Sequence, residues 1–169
     1  MIKHNKAQVT IKIGELHAAA KPTIIYTLLG SCVAVCMYDE KKHIGGMNHI
    51  FLPGNDSTGA STRYGENAIK HLIKKIVRLG GDHKDITAKA FGGGHVIPVM
   101  SEDIGVGSKI VDFVVNFLKE SGIKLVAHDF GGNMPRKVFF HTDTGMAYVK
   151  LVSPRLMNMV SRKKIRKYL

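Results

Sequence analysis

Two residues with complementary chemistry, Cys32 and His49, lie seventeen positions apart, and the residues between them are typical of a β-hairpin. An apolar, β-branched run follows Cys32, then a charged four-residue turn, then a second apolar run that contains His49. If Tyr38 pairs with His43 across the turn, Cys32 lies directly opposite His49, with Cβ atoms about 4.5–5.5 Å apart. A thiol can pass a proton to an imidazole at this range, so Cys32 is a candidate nucleophile and His49 its base.

The alternative for either cysteine is a purely structural role, because free cysteine is often buried as a small hydrophobic residue. Cys36 fits that role, since it lies inside the apolar run without a polar or glycine neighbour. Cys32 differs because it follows the Gly30-Ser31 bend, where backbone N–H groups are exposed. The sequence therefore favours Cys32 for chemistry and Cys36 for the core.

Length and composition predict one globular domain over residues 1–169, with a core at about 8–152 and a basic C-terminal tail at 153–169. Hydrophobic residues make up 44% of the 169 residues. No apolar stretch reaches the ~18–20 residues that a transmembrane helix needs. The basic N-terminus leads into an alternating strand and not into a signal peptide, so a cytoplasmic location is expected. Two cysteines four positions apart on one strand cannot form a disulfide, which predicts free thiols.

The net charge of +12 predicts acidic partners, such as nucleic acid, an anionic membrane surface or an acidic protein. Much of the charge lies in residues 155–167, which contain no acid. The alternative is a tail that only increases solubility, and the sequence leaves both open.

Periodicity predicts eight strands and two amphipathic helices. The strands are expected at residues 8–14, 23–29, 33–38, 44–52, 86–91, 123–128, 137–141 and 146–151, and the helices at 64–79 and 107–120. Strands cluster at both ends of the chain, so the prediction is an α+β fold. Its mixed or antiparallel β-sandwich core is flanked by the two helices, in an αββα-like three-layer sandwich. A doubly wound parallel fold is disfavoured.

Other candidate sites are weaker. The nine histidines include no H-x-H or H-E-x-x-H pair, so neither a metal nor another cofactor is expected. The glycine runs at 92–94 and 131–132 match no phosphate-binding loop and indicate places where the backbone passes close to another segment. Arg63 and Tyr64 open the first helix, with Thr62 as the expected N-cap, and could contact a substrate at the edge of a polar loop.

Several motifs, taken in order along the chain, closely resemble the chemoreceptor glutamine deamidase family, CheD. They extend from about residue 8 to residue 152, and the tail lies outside the family pattern. The motifs are Leu29-Gly30-Ser31-Cys32-Val33-Ala34-Val35, Gly45-Gly46-Met47-Asn48-His49-Ile50-Phe51-Leu52-Pro53, Arg63-Tyr64-Gly65, Phe91-Gly92-Gly93-Gly94, Ile104-Gly105, Asp129-Phe130-Gly131-Gly132-Asn133 and Arg136-Lys137-Val138.

The resemblance implies a cysteine amidohydrolase that converts glutamines of methyl-accepting chemotaxis receptors to glutamate and ammonia. It implies Cys32 as nucleophile and His49 as base, assisted by a threonine on the preceding strand, for which Thr27 is the nearest candidate. Backbone N–H groups at Gly30, Ser31 and Cys32 would support the oxyanion. Receptor cytoplasmic domains are the implied partners, and a CheC-type phosphatase is a further one.

Two other classes of function compete with this prediction. The chain could be a regulatory module that binds a CheC-type phosphatase or a receptor without essential catalysis, an activity that Cys32→Ala would spare. A nucleic-acid-binding role of the basic tail needs no Cys–His pair and is not expected.

Overall fold

The computed structural model describes residues 5–96, 105–153 and 165–169. In these ranges the chain forms strands, two α-helices and a short 3-10 turn at His83–Asp85. The strands are β1 (Ala7–Thr10), β2 (Leu16–Ala19), β3 (Thr23–Leu29), β4 (Val33–Asp39), β5 (Ile44–Asn48), β6 (Ile86–Gly92), β7 (Lys124–Phe130), β8 (Arg136–His141), β9 (Ala147–Leu151) and β10 (Ile165–Tyr168). The helices are α1 (Gly65–Arg78) and α2 (Val106–Glu120).

The strands form two five-stranded sheets that pack face to face. The first sheet has the order β1-β3-β8-β9-β10, and the second has the order β2-β5-β4-β6-β7. Most pairs are antiparallel, while β1–β3 and β6–β7 are parallel. Both helices pack on the second sheet, α1 on β2, β4 and β5, and α2 on β4, β6 and β7. The predicted α+β sandwich is confirmed, with the layers in the order helices, second sheet, first sheet.

Strand β4 is buried on both faces, which explains its nearly continuous apolar sequence. Val33, Val35 and Met37 point to the helices and share one core cluster with them. Cys36 points the other way and belongs to the cluster between the two sheets, as does Cys32 just before the strand. Because side chains alternate along a strand, one run of sequence supplies both cores.

The helices follow from apolar residues at helical spacing. In α1, Leu72 and Ile76 are fully buried four residues apart, and in α2 the same spacing joins Ile110, Val114 and Leu118. The predicted N-cap of α1 is wrong: Tyr64 caps the helix without a side-chain hydrogen bond. The hydroxyl of Thr62 donates instead to the carbonyl of Gly14, 2.6 Å away.

Two strands were not predicted, and two predicted ones are shorter than expected. Strand β2 lacks β-branched residues, and β10 lies in the basic tail, of which residues 154–164 fall outside the described ranges. The strand predicted at residues 8–14 is observed only as β1, Ala7–Thr10, and the strand predicted at 44–52 ends at Asn48. Between residues 49 and 52 the chain forms no regular ladder and pairs only through two isolated bridges, Val33↔Ile50 and Leu52↔Tyr64.

The register predicted for the β4–β5 hairpin is wrong by two residues. Tyr38 pairs with Gly45, and the hairpin closes one step later at Asp39 and Ile44. The cause is the carboxylate of Asp39, which is fully buried and accepts backbone N–H bonds from Lys42 at 3.0 Å and Asp82 at 2.8 Å. A buried carboxylate needs such partners, and they make Asp39 the last strand residue instead of the first turn residue.

No helix in the described ranges is long and apolar enough to cross a lipid bilayer.

Gly46 in β5 sits where a side chain has no room. A Cβ atom there would lie 2.7 Å from the carbonyl oxygen of His17 and 2.6 Å from Cδ1 of Leu72. We expect Gly46→Ala to lower the free energy of unfolding by about 1–3 kcal/mol, as overpacking does, measured by urea denaturation. The control is Gly30→Ala, whose Cβ would meet its nearest atom at an ordinary 3.5 Å. An equal loss of stability in both variants would contradict this account.

Candidate active site

Cys32 lies at the end of the bend that joins β3 to β4, with only 7% of its surface exposed. Its carbonyl accepts a hydrogen bond from the N–H of Gly93 at 2.9 Å. Among the described residues, the N–H groups of Ser31 and Cys32 donate to no carbonyl and to no side chain of another residue. The Cys32 N–H contacts only its own sulfur, and N–H groups without a partner elsewhere in the protein are what an oxyanion site requires.

His49 is held by the backbone of the turn between β1 and β2. Its N–H donates to the carbonyl of Glu15 at 3.0 Å, and its carbonyl accepts from the N–H of Gly14 at 2.9 Å. The next residue, Ile50, returns to the second sheet and pairs with Val33 through two backbone bonds. These contacts fix the His49 backbone, and its side chain is 4% exposed.

The shift in register means that Cys32 and His49 are not directly opposite each other, contrary to prediction. In the observed ladder Val33 pairs with Ile50, so the position opposite His49 is that of Ala34. Both residues still face the first sheet, and they are diagonal neighbours, a separation that longer side chains can bridge. They line the same cavity, of about 600 Å³.

Thr27 on β3 fixes which nitrogen of His49 carries the proton. The Thr27 hydroxyl lies 2.7 Å from the carbonyl oxygen of Ile11 and 2.7 Å from Nδ1 of His49. A carbonyl oxygen only accepts, so the single hydroxyl proton goes to Ile11. Nδ1 of His49 must then donate its own proton to the Thr27 oxygen. In the neutral ring this leaves Nε2 as a free base.

Nε2 of His49 is buried and has no hydrogen-bond partner among the described residues. A buried polar atom without a partner is unusual and marks a place where a ligand or a reacting group fits. The cavity that His49 shares with Cys32 also has Gly30 and Ser31 in its lining, together with apolar residues. Its apolar lining residues are Ile13, Leu28, Phe51, Leu52, Val96 and Val106.

Burial favours the neutral forms of Cys32 and His49. Burial raises the pKa of the Cys32 thiol to about 11, an effect that its own backbone N–H partly opposes. Burial lowers the pKa of His49 to about 4, opposed in part by the negative charge of Glu15. Near pH 7 the pair is therefore a thiol and a neutral imidazole, and Cys32 can act as a nucleophile only by giving its proton to a base as it attacks.

Three glycine-containing turns are joined by backbone hydrogen bonds next to Cys32. The N–H of Gly94 donates to the carbonyl of Gly30 at 3.1 Å, and the N–H of His95 donates to that of Gly132 at 2.7 Å. A Cβ at Gly92, which has a φ of 118°, would collide with the carbonyl oxygen of Cys32. Backbone crowding, the prediction made for both glycine runs, is confirmed at residues 92–94. It is wrong at Gly131 and Gly132, where a Cβ would meet nothing closer than 3.7 Å and a φ of 78° accounts for the glycines instead.

Arg136 ties these turns to the rest of the molecule. Its side chain is 2% exposed, and its guanidinium donates to the carboxylate of Asp129 at 2.7 Å and to the carbonyl of Gly131. Burial would raise the pKa of Asp129, but hydrogen bonds from Tyr168 and Arg166 and the charge of Arg136 lower it. Strand β10 is thus connected to the turn beside the candidate active site.

Other predicted residues fall away from the cavity. Arg63 is exposed and Tyr64 is half-buried at the start of α1, and neither is among the cavity-lining residues. No group of three or more potential metal ligands occurs within the described ranges. Both cysteines are free thiols, as predicted.

Sequence reasoning missed two residues that position His49. The carbonyl of Ile11 is the acceptor that orients Thr27, and no side-chain pattern signals a backbone group. Asn48, which is fully buried, accepts the N–H of Val35 through its side-chain oxygen at 2.9 Å. The Asn48 side chain thereby replaces a backbone hydrogen bond between β4 and β5 just before His49. A polar residue inside an apolar strand was the sequence feature that could have indicated this role.

Comparisons with known proteins agree on one family. The model of the family described as "CheD chemotactic sensory transduction" matches residues 51–151. A protein of Anaeromyxobacter dehalogenans named "Probable chemoreceptor glutamine deamidase CheD 1" is 39% identical over 145 residues, which cover 86% of this chain and 85% of that protein. A "Probable chemoreceptor glutamine deamidase CheD" of Thiobacillus denitrificans is 42% identical over 142 residues, or 81% and 70% of the two chains. One from Shewanella oneidensis is 38% identical over 152 residues, or 87% and 73%.

The raised pKa of Cys32 has a measurable consequence for alkylation. We expect the rate of Cys32 modification by iodoacetamide, followed by mass spectrometry, to keep rising beyond pH 10, because the thiolate is the reacting form. The guanidinium-unfolded chain serves as control and levels off above the ordinary thiol pKa of about 8.5. A plateau near pH 7 in the folded protein would instead reveal a preformed thiolate–imidazolium pair.

Proposed function

This chain belongs to the CheD family, and we propose that it is a chemoreceptor glutamine deamidase with Cys32 as its nucleophile. The reaction is hydrolysis of a glutamine side-chain amide of a methyl-accepting chemotaxis protein to glutamate and ammonia. The observation that carries the proposal is that Thr27 engages Nδ1 of His49 and leaves Nε2 without a partner, while His49 lines the same cavity as Cys32.

The first half of the reaction acylates the enzyme. The glutamine side chain enters the cavity, and the Cys32 sulfur attacks its carbonyl carbon while Nε2 of His49 takes the thiol proton. The carbonyl oxygen gains negative charge, which the N–H groups of Ser31 and Cys32 stabilise. His49 then passes the proton to the amide nitrogen as the C–N bond breaks, so ammonia leaves neutral and a thioester remains.

The second half releases the product. Water enters the site that ammonia vacates, and Nε2 of His49 takes one of its protons as the oxygen attacks the thioester carbonyl. The C–S bond breaks, the proton returns to the sulfur, and the receptor leaves with glutamate in place of glutamine. Throughout, Thr27 keeps Nδ1 of His49 protonated, so the same nitrogen performs each transfer.

The partners follow from the same assignment. Receptor cytoplasmic domains are the substrates, and the enzyme works in the cytoplasm, where these domains lie. The family resemblance adds a CheC-type phosphatase that competes with receptors for the enzyme. Binding of that phosphatase needs no thiol, so it should persist in Cys32→Ala.

The nucleophile is tested by ammonia release from a purified receptor cytoplasmic fragment. We expect Cys32→Ala to lose activity to background while its melting temperature stays near that of the wild type. Cys36→Ala is the matched control, since Cys36 is buried in the core between the sheets, and it should retain activity with a modest loss of stability. Ammonia release by Cys32→Ala at the wild-type rate would exclude the mechanism.

The role of Thr27 is tested by Thr27→Val and Thr27→Ser. The valine variant keeps the shape but frees Nδ1 of His49, so we expect kcat to fall roughly 10- to 100-fold, part of the ~100- to 10,000-fold that acid–base catalysis supplies. The serine variant keeps the hydroxyl and should recover most of kcat. If both variants lose stability and activity equally, Thr27 is structural and does not orient His49.

A further inference from the structure

The outer face of the first sheet, directed away from the helices, carries a row of aromatic side chains. In register across the five strands lie Thr10, Tyr26, Phe139, Tyr148 and Lys167. Their neighbours along the strands, such as Ile25 and Phe140, are buried between the sheets, so this row points outward. Tyr26 and Phe139 stack with ring centroids 5.9 Å apart. The row is a flat, partly apolar strip open to solvent.

The adjacent row adds positive charge to this face. Leu28, Lys137, Lys150 and Ile165 lie in register across β3, β8, β9 and β10. Leu28 is 45% exposed and Ile165 is 63% exposed, which is uncommon for large aliphatic residues on a sheet. The two rows together contain three lysines and no acid.

The lysines of this face are available for a partner. Within the described ranges, Lys137, Lys150 and Lys167 form no ion pair. The nearby acid Asp143 is already paired with Lys6, whose Nζ lies 2.8 Å from the carboxylate. A positive surface without internal partners attracts a negatively charged one.

The face is continuous with the active site. Ile13, Leu28 and His49 line both the catalytic cavity and a neighbouring cavity of about 280 Å³. That second cavity extends to Tyr26 and Lys137, where the two outer rows begin. When one side chain of a bound polypeptide reaches Cys32, the residues beside it in that polypeptide therefore lie against the outer face.

We propose that this outer face docks the receptor segment that carries the target glutamine, through acidic side chains and an apolar stripe on that segment. The inference rests on the proposed deamidase function and adds the chemistry of the substrate surface. Acidic residues of the segment pair with Lys137 and Lys150, and its apolar stripe covers Leu28 and the aromatic row. Nucleic acid also fits a basic, aromatic sheet, but it offers no reason for the face to lead into a cavity lined by a thiol and an imidazole.

The test compares two double variants with the same change in charge. Lys137→Glu/Lys150→Glu alters the docking face, and Lys74→Glu/Lys119→Glu alters exposed residues of α1 and α2 on the opposite layer. We expect the first to raise KM for the receptor fragment about tenfold, with less effect at about 0.5 M salt, because screening weakens exposed ion pairs. The second should leave KM unchanged.

Three outcomes would overturn the proposal. The first is an unchanged KM in the docking-face variant, and the second is an equal rise in KM in the control pair, which would indicate general charge steering. The third is a loss of binding to a fluorescent single-stranded oligonucleotide with receptor kinetics intact, which would assign the face to nucleic acid.

Binding measured in the Cys32→Ala background separates docking from catalysis. If receptor binding falls with the docking-face substitutions there, and the wild type releases no ammonia, the surface is real and the deamidase assignment alone fails. A third variant, Tyr148→Ala, tests the apolar stripe. We expect its KM to rise at high salt as well as at low salt, and an unchanged KM would remove the aromatic row from the docking face.

Discussion

A single hydroxyl proton on Thr27 determines the chemistry available at this site. The hydroxyl has one proton to give and two neighbours at 2.7 Å, a carbonyl that can only accept and an imidazole that can do either. The carbonyl takes the proton, so the imidazole must donate with Nδ1 and keep Nε2 free. This geometry needs the first sheet for Thr27 and the β1–β2 turn for the His49 backbone. The site therefore exists only when the two sheets are packed together.

The remaining elements hold Cys32 at the cavity that it shares with His49. The bend before β4 leaves backbone N–H groups free, and the glycine turns pack behind it because they lack side chains. Arg136 and Asp129 connect these turns to β10, where Arg166 lies 3.0 Å from the Asp129 carboxylate. Residues from the beginning, middle and end of the chain thus converge near one cysteine.

Much of this arrangement could be predicted, because the informative signals were local. The strand at residues 23–29 was predicted with its true limits, since a β-branched run there is bounded by Pro22 and Gly30. The hairpin register could not be predicted, because a distant backbone N–H, that of Asp82, helps to hold Asp39 in the strand. Cys32, His49 and Thr27 were nominated from sequence and lie around one site, whereas the link through Ile11 is a backbone contact that residue types do not reveal.

The raised pKa of the Cys32 thiol affects how readily this residue is oxidised. Peroxide oxidises thiolates far faster than thiols, and over-oxidation of cysteine to sulfinic acid is generally irreversible. A permanent thiolate would be open to oxidation whenever the enzyme has no substrate bound. In the proposed mechanism the reactive anion forms only as a substrate carbonyl arrives, so between turnovers the site presents peroxide with the less reactive neutral thiol.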